Sequence, residues 1–477
     1  MKKIETFSVF CGIMLSNVAD AHTNEKPTEQ QPNVIIVFID DFGYGDLGCY
    51  GNTVHRTPVI DQMAREGMRF TDFYVTSGVS TPSRSSLMTG CYSQRISMHV
   101  NANPTPLLSS GRQVLFPASH KGLNTAEITI AEMLKEQGYA TACIGKWHLG
   151  DQLPFLPTRR GFDYYYGIPY SNDMNRDFCP LPLMEQEEVI IAPVGQDSLT
   201  WRYTVKAIEF IQKNKDQPFF LYLPHNMTHN PLAASPAFKG KSMNGLYGDA
   251  TEELDWSMGE IFALLKKEGL DEKTLVIFTS DNGAVPRFGG SNLPLRGEKG
   301  MTYEGGQRVP CVIRWPGVVP AGKICNEVVT TMDFFPTVAH YCNGKVPTDR
   351  IIDGKNIAPI LEGKRDAKSQ TEVFYFYQRQ QLQSVRWGKW KYHLPLEEKI
   401  MNVNSANLEP FPQGELYDLE KDISESNNLI AQYPEVIAQM KILINNARED
   451  MGDWGYEGKN RRPAGVIDEP FPRLLQK

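Results

Sequence analysis

The sequence predicts an α/β protein: a large mixed, mostly parallel sheet sandwiched by helices, followed by a smaller C-terminal antiparallel sheet with one helix. Three observations carry this. Short unbroken apolar runs recur up to about residue 365, and such runs mark strands buried on both faces. Helix-length periodic stretches separate them, which is the alternation of a parallel or mixed sheet. Beyond that point the texture changes to short aromatic segments split by polar breaks. At 477 residues the chain is also too long for one small core.

The elements follow in order. Lys2 and Lys3 precede an apolar run at 7–15, too short to span a bilayer, and Ala19-Asp20-Ala21 has the small residues of a cleavage site. Residues 1–21 are therefore expected to be a signal peptide and 22–32 a polar tether. The main α/β domain is expected over 33–365 and a C-terminal α+β subdomain over 366–477. No later segment reaches membrane-spanning length, so with the expected signal peptide an exported protein, not integral to a membrane, is expected. The first strand is 34–39. Helix 128–137 leads to strand 139–144, helix 202–213 to strand 219–223, and helix 252–268 to strand 275–279. The later strands are 373–377, 383–387, 389–393 and 415–419, closed by a helix at 434–449. Of eight cysteines, Cys11 lies in the leader; none has C-x-x-C spacing, and one or two disulfides are permitted among the others.

Forty-nine basic residues against 56 acidic ones give a net charge of −7. That excludes a bulk electrostatic nucleic-acid binder, which needs a basic surface. The informative charges sit at strand ends, where ligands bind in open α/β sheets. Asp40 and Asp41 follow the first strand, Lys146 and His148 the second, His225 and His229 the third, Asp281 and Asn282 the fourth. Asp40, Asp41, Asp281 and Asn282 offer only oxygen, which suits Ca²⁺ or Mg²⁺ rather than zinc. In Ser80-Thr81-Pro82-Ser83-Arg84, Pro82 fits the first turn of a helix, so Ser80 would stand at an N-terminus that favours an anion.

Ser80-x-Pro82-x-Arg84, followed by a helix ending in Thr89-Gly90, resembles the sulfatase signature. The segments around Asp40-Asp41, Gly145-Lys146-Trp147-His148, Thr228-His229-Asn230-Pro231, Ser280-Asp281-Asn282-Gly283 and Gly297-Glu298-Lys299-Gly300 resemble the same family, in the same order. Gly167-Ile168-Pro169-Tyr170-Ser171 and the segment 70–75 are similar to its arylsulfatase A and N-acetylgalactosamine-6-sulfatase branch. The resemblance implies an alkaline-phosphatase-like fold and hydrolysis of sulfate monoesters, with a sulfated carbohydrate as substrate. It implies that Ser80 is converted to formylglycine, whose hydrate attacks sulfur. One Ca²⁺ would be held by Asp40, Asp41, Asp281, Asn282 and residue 80. Arg84 and Lys146 would steady the sulfate, Lys299 and His229 would face the leaving oxygen, and His148 would act as base. Ser171 aligns with a position near the sulfate. His225 reads either as a substrate contact or as a structural histidine. Asp173, Arg176 and Asp177 read more simply as a solvated loop than as sugar contacts. Many relatives carry Cys at position 80; Ser resembles the bacterial subgroup matured by an anaerobic sulfatase-maturating enzyme. Two rival functions are a phosphodiesterase or phosphonate hydrolase of the same superfamily, and a non-catalytic glycan-binding relative.

Overall fold

A computed structural model describes residues 31–101, 112–400 and 408–476. The expected signal peptide and nearly all of the tether lie outside the described residues. Ten strands form one sheet. Its centre is Asn33–Ile39, Phe219–Leu223, Ala140–Ile144 and Tyr164–Gly167, with Thr274–Ser280 on the other side of Asn33–Ile39, all mutually parallel. All of these except Tyr164–Gly167 are apolar runs expected to be buried. Antiparallel strands flank them. Cys311–Arg314 pairs with Thr274–Ser280 and with Met68–Phe70, which pairs in parallel with Lys323–Cys325. Leu183–Glu185 and Glu188–Ile191 close the opposite edge.

The central strand shows why its run is unbroken. Side chains alternate across a strand. Val34, Ile36 and Phe38 enter one core, with the helices Ser80–Thr89, Ile130–Glu136 and Phe334–Tyr341. Ile35, Val37 and Ile39 enter the other, with Pro58–Glu66, Leu199–Lys213 and Gly245–Lys267. Each such side chain stabilises the fold by about 1.5–3 kcal/mol. Local chemistry sets the boundaries. Thr129 and Glu132 form a capping box that starts Ile130–Glu136.

The C-terminal sheet has the order Val373–Gln378, Gln381–Trp387, Trp390–His393, Glu415–Asp418, antiparallel throughout. The helix Pro434–Asp450 packs on it through Val436, Met440, Ile444 and Ala447. Trp390 packs against Tyr433 with ring centroids 4.7 Å apart and the planes tilted by 49°. The chain then returns to the large sheet region: Gly465–Val466 pairs with Lys121–Gly122. No helix among the described residues is long and apolar enough to cross a membrane.

One allowance is corrected. All seven described cysteines are free. Six are buried, where a thiol packs as a small hydrophobe, and burial pushes Cys91 and Cys342 up to about 12.

Candidate active site

Ser80 begins an α-helix whose ten residues are all buried. Several hydroxyls of this Ser- and Thr-rich helix are satisfied within it. Ser85 and Ser86 donate to the Pro82 carbonyl at 2.7 and 3.1 Å, and Thr89 to Ser85 at 2.8 Å. Gly90 ends it in the left-handed region at φ 68°, its N–H donating to the Ser86 carbonyl.

The strand ends converge on this helix start. Ser80 Oγ lies 2.9 Å from Asp40 Oδ1 and 2.5 Å from Asp281 Oδ2. Lys146 Nζ donates to Ser80 Oγ at 3.1 Å and Ser171 Oγ at 3.3 Å, and is ion-paired with Asp40. Arg84 donates to Asp281 Oδ2 at 2.8 Å, and its guanidinium lies 3.6 Å from Asp40. Lys299 reaches Asp41 at 2.7 Å, and Asn282 Nδ2 donates to the same carboxylate at 2.7 Å. His229 Nε2 is 3.8 Å from Asp41 Oδ2.

Electrostatics sort these groups. Burial pushes Asp40 up, but Lys146, His229, Arg84 and Lys299 outweigh it and hold the carboxyl well below its usual value. Burial and the neighbouring Asp40 raise Asp281 to about 6. Burial lowers Lys146 despite Asp40 beside it, whereas Asp41 and Asp40 overcome burial and raise Lys299. Burial, then Lys146, drives His148 well below 6.5. Its Nε2 faces the Leu115 carbonyl at 2.9 Å, so the proton sits there and the buried Nδ1, without a partner among the described residues, keeps a free lone pair.

The oxygen donors fit a hard divalent cation. Carboxylate oxygens of Asp40, Asp41 and Asp281 come within 4.8 Å of one another. Asn282 Oδ1 is buried without a hydrogen-bond partner among the described residues. Asp40 and Asp281 both press on one hydroxyl, which has a single proton to give. A cation bound by oxygen resolves that crowding.

A cavity of about 400 Å³ opens onto this cluster. Ser80, Asp41, His148, Ser171, His229 and Lys299 line it; Arg84, Lys146, Asp40, Asp281 and Asn282 lie beneath. His225 does not line it. It is buried beside Tyr203, 5.9 Å between rings, both ring nitrogens unpartnered, and burial lowers it to about 3. Asp173 and Arg176 line the mouth rather than a plain solvated loop, and Asp177 does not. Arg112, Arg287, Phe116, Phe288 and Glu298 also line it and were missed from sequence. For Arg287 a signal existed, since it follows the strand end that delivers Asp281.

The sulfatase family model matches residues 32–344, and a model described as the C-terminal region of N-sulphoglucosamine sulphohydrolase matches 297–450. Steryl-sulfatase of Homo sapiens is 38% identical, covering 76% of this chain and 75% of its own. Arylsulfatase A of Homo sapiens is 36% identical, covering 86% and 87%. N-acetylgalactosamine-6-sulfatase of Rattus norvegicus is 36% identical, covering 76% and 72%. The solved complex of Ps i-CgsB with k-i-k-neocarrahexaose superposes with a TM-score of 0.74 at 30% identity, covering 91% of this chain and 95% of that one. With its fold, its acidic cluster and its converging cations in agreement, the chain belongs to the sulfatase family and is a sulfuric ester hydrolase.

Proposed function

We propose that this enzyme removes sulfate from a sulfated glycan, with galactose or N-acetylgalactosamine the favoured sugar, using formylglycine made from Ser80 and one Ca²⁺. The observation that carries the reading is the seat of Ser80. It is the first residue of a buried helix, with two carboxylates and Lys146 on its single oxygen. Asp40, Asp41, Asp281 and Asn282 would hold the cation, which offsets the charge of the ester. Formylglycine supplies a second hydroxyl on hydration, which serine lacks.

The chain's own residues do the rest. Arg84 and Lys146 are fixed cations under the sulfate position, so they need not reorganise as charge shifts. Lys299, kept protonated by Asp41, faces the opening with His229 and stabilises charge on the departing alcohol oxygen. His229 Nδ1 donates to the Asn230 carbonyl at 2.6 Å, which turns Nε2 toward Asp41. A bound anion favours protonation of Nε2, and His229 then serves as general acid. His148, neutral with Nδ1 free, removes the proton from the residue-80 hydroxyl that restores the resting enzyme. Ser171 hydrogen-bonds Lys146 and orients it, or the sulfate, from the far wall. His225 is assigned a structural place behind the site. The enzyme is proposed to be exported to the periplasm or beyond, with position 80 matured by an anaerobic sulfatase-maturating enzyme.

Paired assay of 4-nitrophenyl sulfate and bis(4-nitrophenyl) phosphate tests this. Co-expressed with the maturase, the enzyme is expected to turn over the sulfate faster. Faster diester turnover would sink the reading in favour of a phosphodiesterase.

A further inference from the structure

The floor and the mouth of the cavity carry different kinds of cation. On the floor Arg84, Lys146 and Lys299 are each tied to an aspartate. At the mouth Arg112, Arg176 and Arg287 arrive from three separate loops, and among the described residues none is ion-paired. Arg112 lies over the Phe116 ring at 4.5 Å and Arg287 over Phe288 at 4.8 Å. The Arg176 side chain donates to the Asp173 and Asn175 carbonyls, at 3.1 and 3.2 Å. Asp173 and Glu298 share the mouth, and neither is ion-paired among the described residues.

Three guanidinium groups with no carboxylate partner among the described residues thus stand beside a site whose single sulfate is already matched by floor cations. Guanidinium is a planar fork that takes carboxylate or sulfate oxygens in pairs. For Arg112 and Arg287, the phenylalanine ring beneath limits the side chain's freedom and reduces the ordering cost of binding. Uncommitted carboxylates beside it accept hydrogen bonds from hydroxyls. An apolar sulfate ester such as a sterol would offer these five groups nothing to bind.

We propose that the mouth reads a second anionic group on the substrate, a carboxylate or another sulfate on the same or the adjoining sugar, through Arg112, Arg176 and Arg287, and sugar hydroxyls through Asp173 and Glu298. This rests on the sulfated-glycan reading above and narrows it to a polyanionic glycan.

The test is competition against 4-nitrophenyl sulfate by three probes: galactose 6-sulfate, a sulfated disaccharide with a uronate, and a disulfated galactose. One or both dianions are expected to inhibit at least about tenfold more tightly than the monoanion, and which does so separates carboxylate from sulfate. Raising salt to about 0.5 M should shrink that advantage in the wild-type enzyme. The triple variant R112A/R176A/R287A, altered only at exposed side chains, should cut it to about twofold or less. Equal inhibition by all three probes, or an advantage that survives in the triple variant, overturns the proposal and leaves the glycan reading standing. Faster hydrolysis of cholesterol sulfate than of any sugar sulfate overturns the glycan reading and the proposal together.

Discussion

Two buried charge clusters lie within this protein, and they are built differently. Around Ser80, carboxylates and cations crowd together, yet among the described residues His148 Nδ1, Asn282 Oδ1 and Arg84 Nε have no hydrogen-bond partner. The second cluster joins the C-terminal sheet to the segment that delivers Lys299. There Lys391 bridges Glu304 at 2.8 Å and Glu425 at 3.0 Å, and Glu425 also meets His393 at 2.7 Å. Glu425 accepts from the Glu304 backbone N–H at 2.7 Å, and Arg308 pairs with Glu304 and Asp72. Arg296 donates to the Tyr417 hydroxyl and the Glu425 carbonyl at 3.0 Å each. No carboxylate or ammonium of this second cluster is left unpartnered. Burial alone therefore does not mark a site; a charge cluster with polar atoms in reserve does.

The sharpest way to break the comparison is to remove one centre from each cluster. Ser80→Ala should lower kcat/KM at least about 10³-fold, since it removes the nucleophile position. Its unfolding midpoint in urea should stay at the wild-type value. Lys391→Met should do the reverse. It removes the cation shared by two buried carboxylates, leaving Glu304 to Arg308 and Glu425 to His393, and should cost about 3 kcal/mol of stability in urea unfolding, with a smaller loss of kcat because the Lys299 segment loosens.

A cation separates the clusters next. Ca²⁺ at about a hundred times its dissociation constant should raise stability by about 2.7 kcal/mol. EDTA should reverse this, and Asp281→Asn should lose most of it. Calcium-independent melting of the wild type would contradict the oxygen site.

The smallest effect is a pH dependence of the second cluster. Burial and the neighbouring Glu304 raise Glu425 to about 7. A carboxyl raised above its ordinary 4.5 binds more protons folded than unfolded, so its contribution to stability falls as pH rises from 4.5 to about 7, then levels. Glu304 has the opposite sign: burial pushes it up, but Lys391, Arg308 and Arg386 hold it at about 2. Its contribution is present above 4.5 and is lost as pH falls toward 2. Urea titrations of wild type and Glu425→Gln at pH 4.5 and 7.5 should show the Gln variant gaining relative stability with pH. A parallel pH response of the two proteins would refute it.

The comparison also explains what was legible in the sequence. The central strands were, because burial on both faces forces unbroken apolar runs such as 34–39. Much of the floor of the site followed, because the runs end in polar residues such as Asp40, Lys146 and Asp281; His225, at the end of a like run, misleads because it packs behind the site against Tyr203. The short flanking strands Leu183–Glu185, Glu188–Ile191 and Lys323–Cys325 carry too few residues to show a period. The second cluster was invisible, since it joins Glu304 to Lys391 and Glu425 across 87 and 121 positions. The mouth was mostly invisible too, because an exposed arginine on a loop looks the same whether it is solvated or faces a cavity. Free cysteines are a case where composition allowed bridges that the packing does not make.

The most direct test of the central assignment is the mass of the tryptic peptide 70–84, which carries Ser80. From active enzyme co-expressed with an anaerobic maturase it should be lighter by two hydrogens, and sulfate release should scale with the converted fraction. Full sulfatase activity with an unmodified serine in that peptide would contradict it.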